Sequence, residues 1–502
     1  MQTNVAEWLK HTAERMPDKT ALEEENGRQT YKEYHDKSLG IAKAILASGL
    51  KRKQPVAVYM EKSMKTLVSF MGVARSGNFY SPIDTDMPVE RAKKILEILR
   101  PGIIITTHEK KQDLDIFEYK GQCLYYEDIS ATAYDQQVER AEDGILTTDL
   151  LYVLFTSGST GMPKGVCITH GGVIDYIDWV TETFHISFDD SFGNQAPFYF
   201  DNSILDIYAA MKTGAALHII PQKLFSQPVP LLEYLKEKKI NTIFWVPSAL
   251  MVVSKLKALK KVNMADTLKR VMFCGEVMPN KQLNIWRHFL PDAMFVNLYG
   301  PTEITDACTY YIVDRQFADD EPLPIGVPIK NTGILVLDEQ DRLITESGRI
   351  GELCVQGVGV AKGYYGNLEK TREVFVQNPL NRFYDEKIYR TGDLVQYNEN
   401  HELIYLSRKD FQIKHMGHRI ELGEIETAVS SLPGITMCCC LYDEKRCKIV
   451  LFLDREIKCE EINHRLKEKL PRYMLPGKVV FMEEFPLNAN GKIDRVRLKE
   501  YL

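Results

Sequence analysis

The sequence predicts an α/β protein: a large N-terminal domain with parallel-rich sheets flanked by helices, followed by a small α+β C-terminal domain. Two patterns predict this. Short apolar runs at 242–246, Arg270–Phe273 and Met294–Tyr299 each end in a loop of special residues: Pro247-Ser248, Cys274-Gly275-Glu276 and Gly300-Pro301-Thr302-Glu303. Helix-period stretches separate them. Residues 248–259 carry Leu250, Val253 and Leu256 on one face, and 279–290 open on a proline, which suits a first helical turn. Strands alternating with helices build parallel βαβ units, and such sheets bind ligands beyond the carboxyl ends of their strands. The loops after 155, 273 and 299 are therefore expected to face one crevice.

The tail reads differently. A helix opens at Gly423-Glu424-Ile425-Glu426, carries Ile425, Val429 and Leu432 on one face and stops at Pro433-Gly434. Strand-like runs follow at 436–442 and Lys448–Leu453, then a helix with Ile462, Leu466 and Leu470, then a strand at 479–482. The polar step Ser407-Arg408-Lys409-Asp410 separates this unit from the apolar 404–406. The expected division is a core at 1–406, a joint at 407–410 and a C-terminal domain at 411–502.

Composition excludes several classes. Of 502 residues, 44% are hydrophobic and 26% charged, the proportions of an ordinary globular protein. A net charge of −6 is no footprint for nucleic acid or an anionic membrane. No apolar stretch reaches spanning length, and the N-terminus lacks a basic start followed by an unbroken apolar segment. Val5, Trp8 and Leu9 suggest a short amphipathic helix there. Ten cysteines without zinc-type spacing read as reduced thiols in a cytoplasmic protein.

Residues 156–166 (TSGSTGMPKGV) follow the apolar run 150–155. Glycine lets backbone approach an anion closely; Ser157, Ser159 and Thr160 offer hydroxyls and Lys164 a point charge. The spacing Gly158-x-x-Gly161-x-x-Lys164 is not that of a P-loop. The loop is thus expected to hold phosphate in a site of another kind. Glu303 stands just past a strand end, and a carboxylate beside phosphate requires a hard cation between them, which makes it a candidate Mg²⁺ ligand. Asp393 follows a tight turn (YRTGDL) and suits two ribose hydroxyls; Lys492 lies on a glycine turn near the C-terminus (NGKIDR).

In this order, with 75–84, Phe200-Asp201-Asn202-Ser203, 351–364 and 408–426 (RKDFQIKHMGHRIELGEIE), these motifs resemble the adenylate-forming (acyl-activating) superfamily over nearly the whole chain. They are most similar to the amino-acid adenylation domains of nonribosomal peptide synthetases and to stand-alone D-alanine–carrier protein ligases. The resemblance implies an ATP-dependent, AMP-forming amino acid–carrier protein ligase. A carboxylate attacks the α-phosphate of ATP, pyrophosphate leaves, and the phosphopantetheine thiol of an acyl or peptidyl carrier protein takes the acyl group. It implies Lys492 as the catalytic lysine. It implies Thr156, Ser157, Gly158, Ser159, Thr160, Lys164, Tyr299, Gly300, Thr302, Asp393 and Arg408 around ATP and AMP, and Glu303 on Mg²⁺. The C-terminal domain is implied to be a mobile lid turning about Asp410, withdrawing Lys492 and bringing in the Gly417 region.

By the same likeness the acid is bound by Asp201, Asn202, Leu205, Phe244, Met272, Cys274, Leu298, Asp306 and Ala307. Asp201 matches the aspartate that pairs with a substrate α-ammonium; an acid without an amine leaves that carboxylate buried and unpaired, at high cost. Residues 194–198 and the Cys274 loop look like the D-alanine ligases, but Asp306 stands where those have a small apolar residue. D-alanine and a small polar or basic amino acid (serine, diaminopropionate, diaminobutyrate) both remain open. An acyl- or aryl-CoA ligase of the same fold, and a catalytically inactive regulatory relative, are the rival readings. No nucleic-acid partner and no membrane insertion are expected.

Overall fold

The computed structural model describes residues 2–158, 162–486 and 493–502. Three sheets make up the chain to Arg408. In the nine-stranded sheet, six strands run parallel side by side: Met294–Tyr299, Arg270–Phe273, Thr242–Trp245, Ser191–Asn194, Ala216–Ile219 and Thr20–Glu24. Antiparallel strands close both of its edges. A six-stranded sheet is parallel until its last pair, where Leu150–Thr156 turns back antiparallel into Lys164–Thr169. A five-stranded antiparallel sheet runs from Thr332–Leu337 to Leu403–Arg408.

The period of two along a strand decides which side chains reach the site. Phe244 pairs with Met272, and Met272 with Val296, in register. Phe244, Met272 and Leu298 therefore share one face and join the largest apolar cluster, while Ile243, Trp245, Val271 and Phe273 point to a second cluster behind the sheet. Three adjacent strands thus send these side chains into one buried apolar cluster.

The hairpin Gln412–His415/His418–Glu421 begins the C-terminal unit. The helices Leu422–Ser430 and Cys459–Leu466 pack with a three-stranded sheet of Cys438–Asp443, Lys448–Leu453 and Lys478–Phe481. This unit has its own core, with Ile420, Ile425, Val429, Leu451, Ile462 and Leu466 buried together. Two helices are shorter than the periodicity predicts. The first spans Pro247–Lys255 and breaks at Lys257, whose φ of 58° is left-handed. The second ends at Leu466; Leu470 is buried from the turn beyond it, ahead of Pro471, which disfavours helix in its predecessor. The N-terminal helix spans Ala6–Arg15. All ten cysteines are free, and among the described residues no helix is long and apolar enough to cross a membrane.

Candidate active site

The loops after 155, 273 and 299 do meet. A cavity of about 50 Å³ is lined by Thr156, Ser157, Asp201, Gly275, Gly300 and Thr302 from the N-terminal part, and by Lys414, Gly417 and Arg419 of the C-terminal hairpin. One of the expected βα turns is different in kind: the 156–164 loop is the tip of an antiparallel hairpin, with Thr156 opposite Lys164. Gly158 is required at this tip, because a Cβ there would stand 2.0 Å from the Met162 carbonyl oxygen. A larger surface groove of about 670 Å³ lies elsewhere, and four of its six charged residues already pair with one another: Lys212 with Asp178 at 2.6 Å and Lys330 with Glu182 at 2.9 Å.

At the outer end of the crevice the hairpin answers the cradle group by group. Ser157 Oγ donates to the Arg419 carbonyl at 2.7 Å and accepts from the Glu421 N–H at 3.3 Å. Lys164 Nζ lies 3.2 Å from Glu421 Oε1, which also accepts from Gln412 at 2.7 Å. Glu303 is fully buried; it takes Arg419 Nη1 at 2.6 Å and the Tyr364 hydroxyl at 2.7 Å. Burial works to raise the Glu303 pKa, but Arg419 and Lys164 outweigh it and hold the carboxyl at about 2. Burial, with Arg419 alongside, lowers Lys164 from its usual value. Ser159, Thr160 and Lys492 lie outside the described residues.

Two further contacts seat the hairpin. Glu276 of the 274–276 loop accepts from the Gly417 N–H at 2.9 Å and from the Ser248 N–H at 2.8 Å. Gly417 has φ 81° and approaches Val246 so closely that a Cβ would meet its Cγ1 at 2.8 Å. Buried Arg91 pairs with buried Glu424, joining the helix Val89–Leu99 to Leu422–Ser430.

Asp393 is buried with both oxygens engaged. Tyr299 donates to Oδ2, and Arg408 Nη1 lies 2.7 Å from Oδ1. Arg408 also grips Asp410 through two bonds of 2.7 and 2.8 Å. Tyr299 is expected to present its ring to a base; here Lys414 Nζ stands 5.8 Å over that ring. The backbone crosses from the five-stranded sheet to the hairpin at Lys409, whose N–H donates to the Gly392 carbonyl at 2.8 Å.

At the inner end Asp201 and Asn202 sit just before the buried helix Ser203–Thr213. Asp201 is 9% exposed and accepts the Asn202 N–H at 3.0 Å; burial raises its pKa against a hydrogen bond from Thr302. Leu205, Phe244, Met272, Cys274, Leu298, Asp306 and Ala307 are all buried, and none of them lines this cavity. The Cys274 thiol is pushed well up by burial, with Asp306 next in effect.

Sequence reasoning assigned no roles to Arg91, Lys414, Arg419, Glu421, Glu276 or Tyr176. Arg419 and Glu421 lay in a quoted motif, and their alternation on a strand with buried Ile420 was the available signal. Arg91 carried none, standing in a helix with Glu90, Lys93 and Lys94.

Residues 9–365 match the family described as AMP-binding enzyme, and residues 424–492 its C-terminal domain. The chain is 33% identical to zwittermicin A synthase ZmaJ of Bacillus cereus, covering 99% of this chain and 94% of that one. It is also 33% identical to an L-proline–[L-prolyl-carrier protein] ligase of Streptomyces coelicolor, covering 93% and 91%. The fold superposes with a TM-score of 0.86 on the Vibrio cholerae adenylation domain AlmE in complex with glycyl-adenosine-5'-phosphate, at 21% identity over 100% of this chain and 98% of that one. Since one match covers most of the large domain and the other most of the small one, the chain belongs to the AMP-binding enzyme family.

Proposed function

We propose that this chain activates an amino acid with ATP to an aminoacyl-AMP, releasing pyrophosphate, and passes the aminoacyl group to the phosphopantetheine thiol of a carrier protein. The observation that carries the reading is that Asp201, a buried carboxylate without an ion-pair partner among the described residues, shares one cavity with Ser157 and Thr302. Lys164 and Glu303 stand alongside, within reach of the same Arg419–Glu421 pair. Such a cavity has a place for an α-ammonium at one end and for phosphate oxygens at the other. The similarity to a carrier-protein ligase supports the acceptor.

Both reactants are anionic, so cations must offset their repulsion as the substrate oxygen bonds to the α-phosphorus. Lys164, Ser157 and Thr156 are our candidates for holding the leaving pyrophosphate. Asp393 is our candidate for the ribose hydroxyls, once Tyr299 and Arg408 give way. No group of three or more acidic, histidine or cysteine residues that could hold a metal occurs among the described residues. A single strongly ionised carboxylate, Glu303, fits a hard cation that draws its other ligands from phosphate and water. Mg²⁺ held there would neutralise phosphate charge. Lys492 is our candidate for bridging substrate carboxylate and phosphate.

In this arrangement Arg419 holds Glu303 and Glu421 holds Lys164, so the hairpin fills the positions of metal and phosphate. That supports reading it as the thiol-transfer state, with Gly417 at the crevice and the joint at Asp410. Asp201 argues against an acyl- or aryl-CoA ligase, and the presence of Lys492, Glu303 and Asp393 against an inactive relative. The substrate is D-alanine or another small polar or basic amino acid. ATP–pyrophosphate exchange tests the whole reading. Amino-acid-dependent exchange is expected, and Lys492→Ala is expected to lower it about a thousandfold or more. Exchange that no amino acid stimulates, or that survives Lys492→Ala, refutes it.

A further inference from the structure

Tyr199, Phe200, Asp201 and Asn202 are four successive residues on the cavity wall, and they form the crown of one loop. The loop leaves the strand Ser191–Asn194 and runs into the helix Ser203–Thr213. Its two ends are joined at the base. Asn194 Nδ2 donates to Asp206 Oδ2 at 3.0 Å, and both residues are fully buried. Asn194 is in register with Phe244, so it projects on the same face of the sheet, the face that packs into the largest apolar cluster. Around Asp206 the helix contributes Ile204, Leu205, Ile207 and Tyr208 to that cluster. Asn194 Oδ1 and Asp206 Oδ1 have no partner there. Polar groups are costly in such surroundings, and here the one bond they make fixes the distance between strand end and helix start.

Lys62 reaches this base from the other sheet. It stands between the strand Pro55–Tyr59 of the six-stranded sheet and the helix Met64–Arg75. Its Nζ donates to the Gln195 carbonyl at 3.0 Å and to the Asn194 carbonyl at 3.4 Å, and it lies 5.5 Å over the Phe198 ring. Those are the carbonyls with which the chain leaves the strand. Beyond them Gln195 Oε1 accepts the Val246 N–H at 3.4 Å, and the Phe200 N–H returns to the Pro197 carbonyl at 3.0 Å. Burial lowers Lys62 to about 7 and raises Asp206 to about 8, the charge of each opposing the shift of the other. An amine keeps two N–H donors when it loses its proton, so the hold on both carbonyls does not depend on its charge.

We infer that Lys62 is a positioning residue for the amino-acid site: by holding the Asn194 and Gln195 carbonyls above the Asn194–Asp206 base, it sets how far the crown carries Asp201 toward the substrate ammonium. The inference rests on the amino-acid-activating reading above and adds to it a residue that does not line the cavity. The candidate phosphate-side groups Thr156, Ser157, Lys164 and Glu303 stand on other segments of the chain. Loss of Lys62 therefore reaches the amino acid and spares ATP.

The test is pyrophosphate exchange with the full chain, titrating ATP and then the amino acid that the unaltered protein activates best. Lys62→Met, of similar length but without a donor, is expected to raise the amino-acid KM about tenfold, the size expected for two hydrogen bonds. The maximal rate and the ATP KM should stay within about twofold, a split that a merely structural role does not produce. Lys62→Arg keeps donors for both carbonyls and should return most of the loss. A double-mutant cycle reads whether the effect passes through Asp201: in an Asp201→Asn background, Lys62→Met should lower kcat/KM for the amino acid by less than about twofold. Should Lys62→Met fail to fold, Lys62→Gln takes its place, with a smaller rise confined to the amino-acid KM. An amino-acid KM that does not move, a rise shared equally with ATP, or a tenfold loss that persists in the Asp201→Asn background overturns the inference while the activation reading stands. Exchange that no amino acid stimulates in the unaltered protein strikes the activation reading itself, and the inference with it.

Discussion

At the inner end of the crevice, Asp201 and Asp306 are buried without an ion-pair partner among the described residues, and burial raises both pKa values. At the outer end, Glu303 and Glu421 are buried too, yet each has a cation within 3.2 Å, and Glu303 is held at about 2. The inner groups all come from the N-terminal domain. The outer cations and anions come in cross-domain pairs, Arg419 to Glu303 and Lys164 to Glu421. The inner carboxylates thus lack a counter-charge among the described residues, and the outer ones have theirs. On the proposed reading, the charges that release a polyphosphate are the ones paired to the C-terminal hairpin, and those that recognise the substrate sit in loops of the N-terminal part.

Replacing Asp201 by Asn is the hardest test of the inner end. Losing the partner of a buried ammonium is expected to cost about 3–5 kcal/mol, so exchange should fall roughly a hundred- to several-thousandfold. Thermal stability should hold or rise, because a buried unpaired carboxylate is gone. A variant that keeps its exchange rate would break the assignment of Asp201.

The two ends should answer pH in opposite directions. Glu303 has a folded pKa near 2, below its unfolded value of about 4.3, so its contribution is present above that value and lost as pH falls through about 2. It is fully buried, and the gap corresponds to roughly 3 kcal/mol. Asp201 and Asp306 have raised folded values, so their cost is absent in acid and appears as pH rises above about 4. Between pH 4.5 and 2.5, Glu303→Gln should flatten the acid loss seen in thermal melts. Asp306→Asn should instead raise stability at neutral pH. Identical pH profiles for both variants and the parent would erase the distinction.

Arg419→Ala is expected to slow aminoacyl transfer to a carrier thiol about tenfold while leaving exchange within about twofold; Lys164 remains to offset Glu303. Single-turnover transfer measured beside exchange reads this, and an equal loss in both would show that the pairing does not separate the two steps. The smallest effect belongs to Lys409→Ala. This lysine, 42% exposed, meets Glu352 at 3.0 Å beside the joint. Only the lysine is exposed, and buried Glu352 keeps Arg390 at 3.0 Å, so the loss is expected at about 0–1 kcal/mol and both steps should stay within about twofold.

Much of the site was legible because its parts are local. Glu303 just past a strand end and the three apolar strand runs follow from contiguous residues, whereas the 156–164 loop is the tip of an antiparallel hairpin and Asp393 lies within the strand Lys387–Tyr397, not after a tight turn as expected. Helix ends were read less well where the apolar period outran the helix, as at Lys257 and Leu470. The unread part is long-range: Arg419 meets Glu303 across 116 positions, Tyr176 meets Asp306 across 130, and Arg91 meets Glu424 across 333. No periodicity carries such pairings, since they depend on how two separately cored units are set against each other.

The sequence by itself determined the family and the α/β architecture with its small second unit, and named several of the groups that line the crevice, among them Thr156, Ser157, Asp201, Gly300 and Thr302, because backbone period and loop chemistry are local properties. Only the tertiary structure decided which of those groups are already satisfied. It paired the outer charges with the hairpin and left Asp306 half-partnered behind Gly300. The physical reason is that the energy of a buried charge is set by what surrounds it in space, and neighbours in space are fixed by packing rather than by adjacency along the chain.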